Sequence, residues 1–143
     1  MIALGCDHGG FALKQEVMKH LDTRGLEYKD YGCYSEESCD YPKYGHAVAH
    51  AVADGVCDRG IIICGTGIGI SISANKVPGI RAALCGDCFS AEATREHNDA
   101  NILAMGARVT GPGLALKILD TFLDTPFSNG ERHIRRISQI EDI

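Results

Sequence analysis

The sequence predicts an α/β protein built on a parallel sheet, and three observations carry that prediction. Short apolar, β-branched runs alternate with longer amphipathic stretches from end to end, as strands wound between helices require. The run Gly60-Ile61-Ile62-Ile63-Cys64 has no polar alternation, which suits a central parallel strand covered on both faces. No repeat, low-complexity tract or Pro/Ser-rich linker divides the 143 residues, so one domain spanning 1–143 is expected.

Taken in order, the first strand is Ile2 to Cys6, and the Asp7-His8-Gly9-Gly10 turn leads into a helix with Phe11, Leu13, Val17, Met18 and Leu21 on one face. Gly25 ends it. Leu26 to Tyr31 reads as the second strand, and a polar loop through Ser35-Glu36-Glu37-Ser38 precedes an Ala/Val-rich helix from about Tyr44 to Ala53. The apolar run 60–64 is the third strand. Ile70 to Lys76 reads as a short helix, which Pro78 separates from a fourth strand, Ile80 to Cys85. Phe89 to His97, Leu114 to Leu123 and about 130–140 are helical, with Ile102 to Met105 as the fifth strand. In such sheets the site lies beyond the carboxyl ends of the strands. Asp7-His8, the Cys64 turn and Asp87-Cys88 are predicted to fall there.

Composition narrows the partners. Lys+Arg 14 against Asp+Glu 19 gives a net charge of −5, and 45% of residues are hydrophobic. A mildly acidic chain without a long basic run argues against nucleic-acid and anionic-membrane binding. The longest charge-free run, Gly60 to Asn75, is shorter than the ~20 apolar residues of a membrane helix and is broken by glycines. No basic segment precedes an apolar one at the start, and the cysteines number seven, an odd count. A cytoplasmic protein with reduced thiols is expected.

The most informative segment is Cys64-Gly65-Thr66-Gly67-Ile68-Gly69, a strand ending in a thiol followed by a glycine-rich turn into a helix. Alternate glycines let backbone N–H groups converge on an anion, and the same environment lowers a thiol pKa. A thiolate there could act as nucleophile or base while the amides stabilise an oxyanion; a tight turn with a buried cysteine is the plain alternative. Two named motifs fail. A dinucleotide fingerprint needs glycine where Ile70 stands, and no Gly-Lys-Ser/Thr completes a Walker loop.

Other clusters read less sharply. Cys85-Gly86-Asp87-Cys88 has C-x-x-C spacing, but Cys33 and Cys39 make a poor second pair for zinc. His46 and His50 stand four apart on a helix without the glutamate of an H-E-x-x-H site. His97 closes the polar stretch Arg95-Glu96-His97-Asn98-Asp99 and suits either acid–base work or helix capping. Arg132, Arg135 and Arg136, with His133 adjacent, form a cationic cluster. It is a solvated face, or a phosphate anchor if the last helix folds over the strand ends.

Gly5-Cys6-Asp7-His8-Gly9-Gly10, Asp40-Tyr41-Pro42, Ile63 to Ser71, Ala74-Asn75-Lys76, Gly79-Ile80-Arg81-Ala82 and Arg95 to Asn101 together resemble the ribose-5-phosphate isomerase B family. Its relatives include allose- and galactose-6-phosphate isomerases. The resemblance runs in order from Ile2 to about Arg136. It implies a three-layer α/β/α sandwich with a five-stranded parallel, Rossmann-like sheet. It also implies a homodimer, with a tetramer as the alternative, whose active sites draw on both subunits. The reaction implied uses no cofactor or metal: D-ribose 5-phosphate and D-ribulose 5-phosphate interconvert through ring opening and C2-to-C1 proton transfer.

On that resemblance Cys64 matches the base, and Gly65, Thr66, Gly67, Ile68 and Gly69 match the loop that steadies the enediolate. His97 matches the ring-opening residue, and Asn98 a sugar contact from the partner subunit. Asp7 and Tyr41 match sugar-side positions, while His8, Arg108, Arg132 and Arg136 match the phosphate end; Arg135 has no assigned duty. One branch of the family carries a glutamate base at the position of Ile70, so its absence favours the cysteine branch. A six-carbon substrate, a non-catalytic sugar-phosphate sensor and a thiol-redox or thiol-zinc protein built on Cys64, Cys85 and Cys88 are the competing expectations.

Overall fold

Five strands pair in one sheet, β1 (Ile2–Cys6), β2 (Tyr28–Asp30), β3 (Arg59–Cys64), β4 (Ala82–Leu84) and β5 (Ile102–Gly106), in a computed structural model that describes residues 1–143. Their order is β2-β1-β3-β5-β4 and every pairing is parallel. Six helices accompany them: α1 (Phe11–Thr23), α2 (Tyr41–Ala53), α3 (Ile68–Ala74), α4 (Cys88–Asn98), α5 (Pro112–Asp124) and α6 (Glu131–Glu141). None is long and apolar enough to cross a membrane.

The unalternating run in β3 is central, and its side chains divide between two cores. Ile61 and Ile63 enter one with Leu13, Val17 and Leu21 of α1 and Ala115, Ile118, Leu119 and Phe122 of α5. Ile62 and Cys64 enter the other with Val48 and Ala49 of α2 and Ile70 and Ala74 of α3. Helices therefore cover both faces, giving the three layers expected, and a period of two in β3 is hidden because both of its faces are apolar.

Several boundaries differ from the predicted ones for local reasons. β2 is shorter than Leu26 to Tyr31 because the end of α1 uses its first residues: Gly25, at φ 68, and Leu26 donate N–H groups to Asp22 O and Leu21 O at 3.0 Å each. That paired C-terminal cap removes Leu26 from the ladder. α2 begins at Tyr41 rather than Tyr44, since Pro42 fits the first turn of a helix. Ile80 and Arg81 precede β4: the Ile80 N–H is bonded to Val77 O and the Arg81 N–H to Asn101 Oδ1. β1 keeps its predicted bounds, and the remaining elements are displaced by one or two residues at one or both ends, including α3, which begins at Ile68.

Candidate active site

Three strand exits and one helix start meet at the carboxyl edge of the sheet. After β1, the buried Asp7 carboxylate closes its own turn by accepting the Gly9 and Gly10 N–H groups at 2.9 and 3.1 Å. His8 Nδ1 accepts the Cys39 backbone N–H at 3.2 Å, so a neutral imidazole there carries its proton on Nε2. The Gly9 backbone lies against that of Gly65, which brings the first exit beside the third strand's.

Cys64 ends β3 with its side chain only 5% exposed, and its Sγ accepts the Gly67 N–H at 3.1 Å. Thr66 Oγ1 accepts the Ile68 N–H at 3.2 Å. These bonds need a left-handed residue between strand and helix, and Gly67 supplies it at φ 79. Only part of the expected amide nest is open: Gly67 and Ile68 bond inward, while the N–H groups of Gly65, Thr66 and Gly69 have no acceptor in the chain.

Two further residues wall this turn. The Ala107 and Arg108 N–H groups donate to Cys64 O and Gly65 O, each at 2.9 Å, stitching the exit of β5 to that of β3. The Arg108 side chain then lies over Gly65, and the Tyr41 ring at the start of α2 lies over Gly69. The structure thus gathers Asp7, His8, Tyr41, Cys64, Gly65, Thr66, Gly67, Ile68, Gly69 and Arg108 at one mouth.

His97, Asn98, Arg132 and Arg136 form a second group elsewhere. α4 leaves the carboxyl edge and returns to the amino edge, where Arg81, the residue before β4, donates Nε–H to Asn98 O at 2.9 Å. The strand length from Gly60 to Cys64 separates that edge from Cys64 by about 13 Å. The linker after α5 is tied to α4 by bonds from Arg95 Nε to Thr125 O and from Ser128 Oγ to Glu96 O. α6 therefore starts beside the last turn of α4, and it does not fold over its own strand ends as the phosphate-anchor reading of its arginines requires within one chain. Arg132 and Arg136 are exposed there without an acidic partner.

Other predicted features take structural duties. Asp87 caps α4, accepting the Ser90 N–H at 2.6 Å and the Ser90 hydroxyl at 2.9 Å, and the amide bond holds its carboxyl below the usual range. Burial pushes the Cys85 thiol up to about 11, with the Asp87 charge adding to the effect, which makes it a poor redox nucleophile. No three His, Cys, Asp or Glu side chains are arranged to hold a metal ion, and His46 and His50 are both exposed. Two side chains that sit in polar stretches of the sequence are buried in the fold. Arg95 is 2% exposed, and His133 is 8% exposed and stacked on His97. The spacing of His133 to Ile137, one turn apart on α6, was the available signal for an inward face.

A doubly wound parallel sheet with open amides at its carboxyl edge defines the class of α/β proteins that take small ligands beyond their strand ends. The chain belongs to the ribose/galactose isomerase family, which it matches over residues 2–140. It is 52% identical over 142 residues to ribose-5-phosphate isomerase B of Escherichia coli (strain K12), covering 99% of this chain and 95% of that one. A solved structure of ribose-5-phosphate isomerase B from Clostridium thermocellum superposes with a TM-score of 0.97 at 56% identity, covering 99% and 95% of the two chains. The D-erythrulose-4-phosphate isomerase of Pectobacterium atrosepticum is 45% identical over 130 residues, 90% of this chain and 86% of that one.

Proposed function

We propose that the chain interconverts D-ribose 5-phosphate and D-ribulose 5-phosphate, with Cys64 as the base. The observation that carries this reading is the Cys64 Sγ, bonded to the Gly67 N–H at 3.1 Å beside the open amides of Gly65, Thr66 and Gly69. A bonded thiolate takes the proton from C2 and returns it to C1, while the negative charge of the enediolate develops against the amides. A free thiol of pKa about 8.5 is a weak base toward a sugar C–H, so stabilising the enediolate is the larger task. Each donor aimed at the developing charge supplies about 3–4 kcal/mol. Thr66 steadies the loop through its bond to Ile68, and Asp7 and Tyr41 border the sugar.

The other half of the site comes from a second copy. His97, which opens the furanose, Asn98, which contacts the sugar, and the phosphate arginines Arg132 and Arg136 stand at the amino edge of their own sheet. Only a neighbouring chain can set them opposite Cys64, where His8 and Arg108 complete the phosphate end. Exposed apolar side chains around that mouth support a partner: Ile68 51%, Leu84 43%, Phe89 81% and Val109 71% exposed.

Turnover in heavy water tests the chemistry. Deuterium is expected at C2 of recovered ribose 5-phosphate, and Cys64→Ser is expected to abolish that exchange while phosphate-dependent binding persists. Retained exchange in the variant removes Cys64 from the role. A second reading keeps the chemistry and changes the chain length, and the match to a relative named for a four-carbon ketose phosphate favours including it. Comparing kcat/KM on four-, five- and six-carbon aldose phosphates decides between them.

A further inference from the structure

His97 sits in the last turn of α4 with its ring exposed, and no hydrogen bond of the chain reaches either of its nitrogens. An exposed histidine of this kind ordinarily samples several rotamers. Here it rests on a second imidazole. The His133 ring lies against it with centroids 4.4 Å apart and planes 12° from parallel. The start of α6 holds that lower ring in place: the His133 N–H donates to Gly130 O at 3.0 Å, and Gly130 lies so close that a Cβ would stand 3.1 Å from His133 Cδ2.

We propose that His133 is a positioning residue for His97, fixing the plane in which the exposed imidazole meets the ring oxygen of a furanose phosphate. This rests on the ring-opening role given to His97 above. Opening breaks the C1–O4 bond: the anomeric hydroxyl loses its proton as C1 becomes an aldehyde, and O4 gains one, with no net change. A single imidazole serving that exchange must be correctly oriented before the sugar arrives, because ordering it afterwards costs rate.

The charges around the pair fit this division of work. Arg132 and Arg136 lie on the helix of His133, and His97 and Glu96 face it from α4. Burial first, then Arg132, His97 and Arg136, hold the His133 pKa below its ordinary value, and Glu96 only partly opposes them. The lower ring is therefore neutral near pH 7 and presents an aromatic face that tolerates an imidazolium above it. A second imidazolium in its place would repel the proton that His97 has to carry.

Two variants separate positioning from mere packing. His133→Phe keeps a flat, non-titrating ring, and His133→Leu fills the space without one. With ribose 5-phosphate, His133→Leu is expected to lower kcat about tenfold or more with KM within about threefold, and His133→Phe to recover most of the loss. The His97 ring resonances, followed by NMR against pH, are expected to titrate differently in His133→Leu and close to wild type in His133→Phe. Equal losses in both variants, or a His133→Leu protein with wild-type kcat, overturn the proposal. If the wild-type protein turns over no sugar phosphate, the isomerase reading falls, and the NMR titration still decides whether the stack governs His97: an unchanged titration in His133→Leu overturns it.

Discussion

Buried thiols set an alkaline limit on this protein. Burial raises Cys6 to about 12, against the opposing charge of Lys14, and raises Cys85 to about 11. In the unfolded chain both ionise near the ordinary value of about 8.5. Above that pH the native state therefore binds more protons than the unfolded state, and stability falls as pH rises. The contribution is complete below about pH 8.5 and is lost progressively as the two native values are approached, at up to about 1.4 kcal/mol per pH unit for each thiol. Tyr31 and Tyr44, also raised by burial, act in the same direction at higher pH. Denaturant midpoints measured between pH 8 and 10 are expected to decline in wild type and to flatten in Cys6→Ala/Cys85→Ala, whatever the offset caused by the lost volume. Parallel slopes in the two proteins would contradict this assignment.

The entry to α3 shows how an element builds the site and what the sequence reveals of it. Gly67 is left-handed, and a Cβ there would stand 2.5 Å from Leu84 Cδ1 and 2.8 Å from the Met105 carbonyl carbon. Gly67→Ala is expected to cost about 1–3 kcal/mol in strain alone and to move the N–H that bonds Cys64. Gly69 is different, since its φ is ordinary and its neighbour is a side chain: a Cβ would meet the Tyr41 ring at 2.6 Å. Gly69→Ala is expected to displace Tyr41 with a smaller loss of stability, so the two variants separate in melting temperature while both lose kcat/KM. The glycine pattern announced this turn, and the apolar run of β3 announced the strand before it. The partition of its amides was not legible, because whether an N–H points at Cys64, at Thr66 or outward depends on φ and ψ. The inward turn of His133 is hidden for a related reason: beside three arginines it reads as part of a charged face, and only packing on α4 turns it inward.

In the whole molecule, the parallel order of the strands places the candidate residues more firmly than any motif does. Connections that cross from one parallel strand to the next return each helix to the amino edge, so a residue at the end of α4 cannot lie beside one at the end of β3. That rule was available from the sequence, since His97 and Asn98 close the helix preceding the fifth strand. A site using both Cys64 and His97 therefore needs two chains, and this has a sharp consequence for mixed variants. Cys64→Ser and His97→Ala are each expected to be inactive alone. In a heterodimer of the two, one site pairs the serine with the alanine and is dead. The other joins an intact Cys64 to an intact His97. Co-refolded in equal amounts, half of the dimers are mixed and one site in two is whole, so activity is expected to recover to about one quarter of wild type if chains pair at random through the symmetric interface. No recovery above the separate variants would mean that each chain works alone, and the second copy would lose its place in the site.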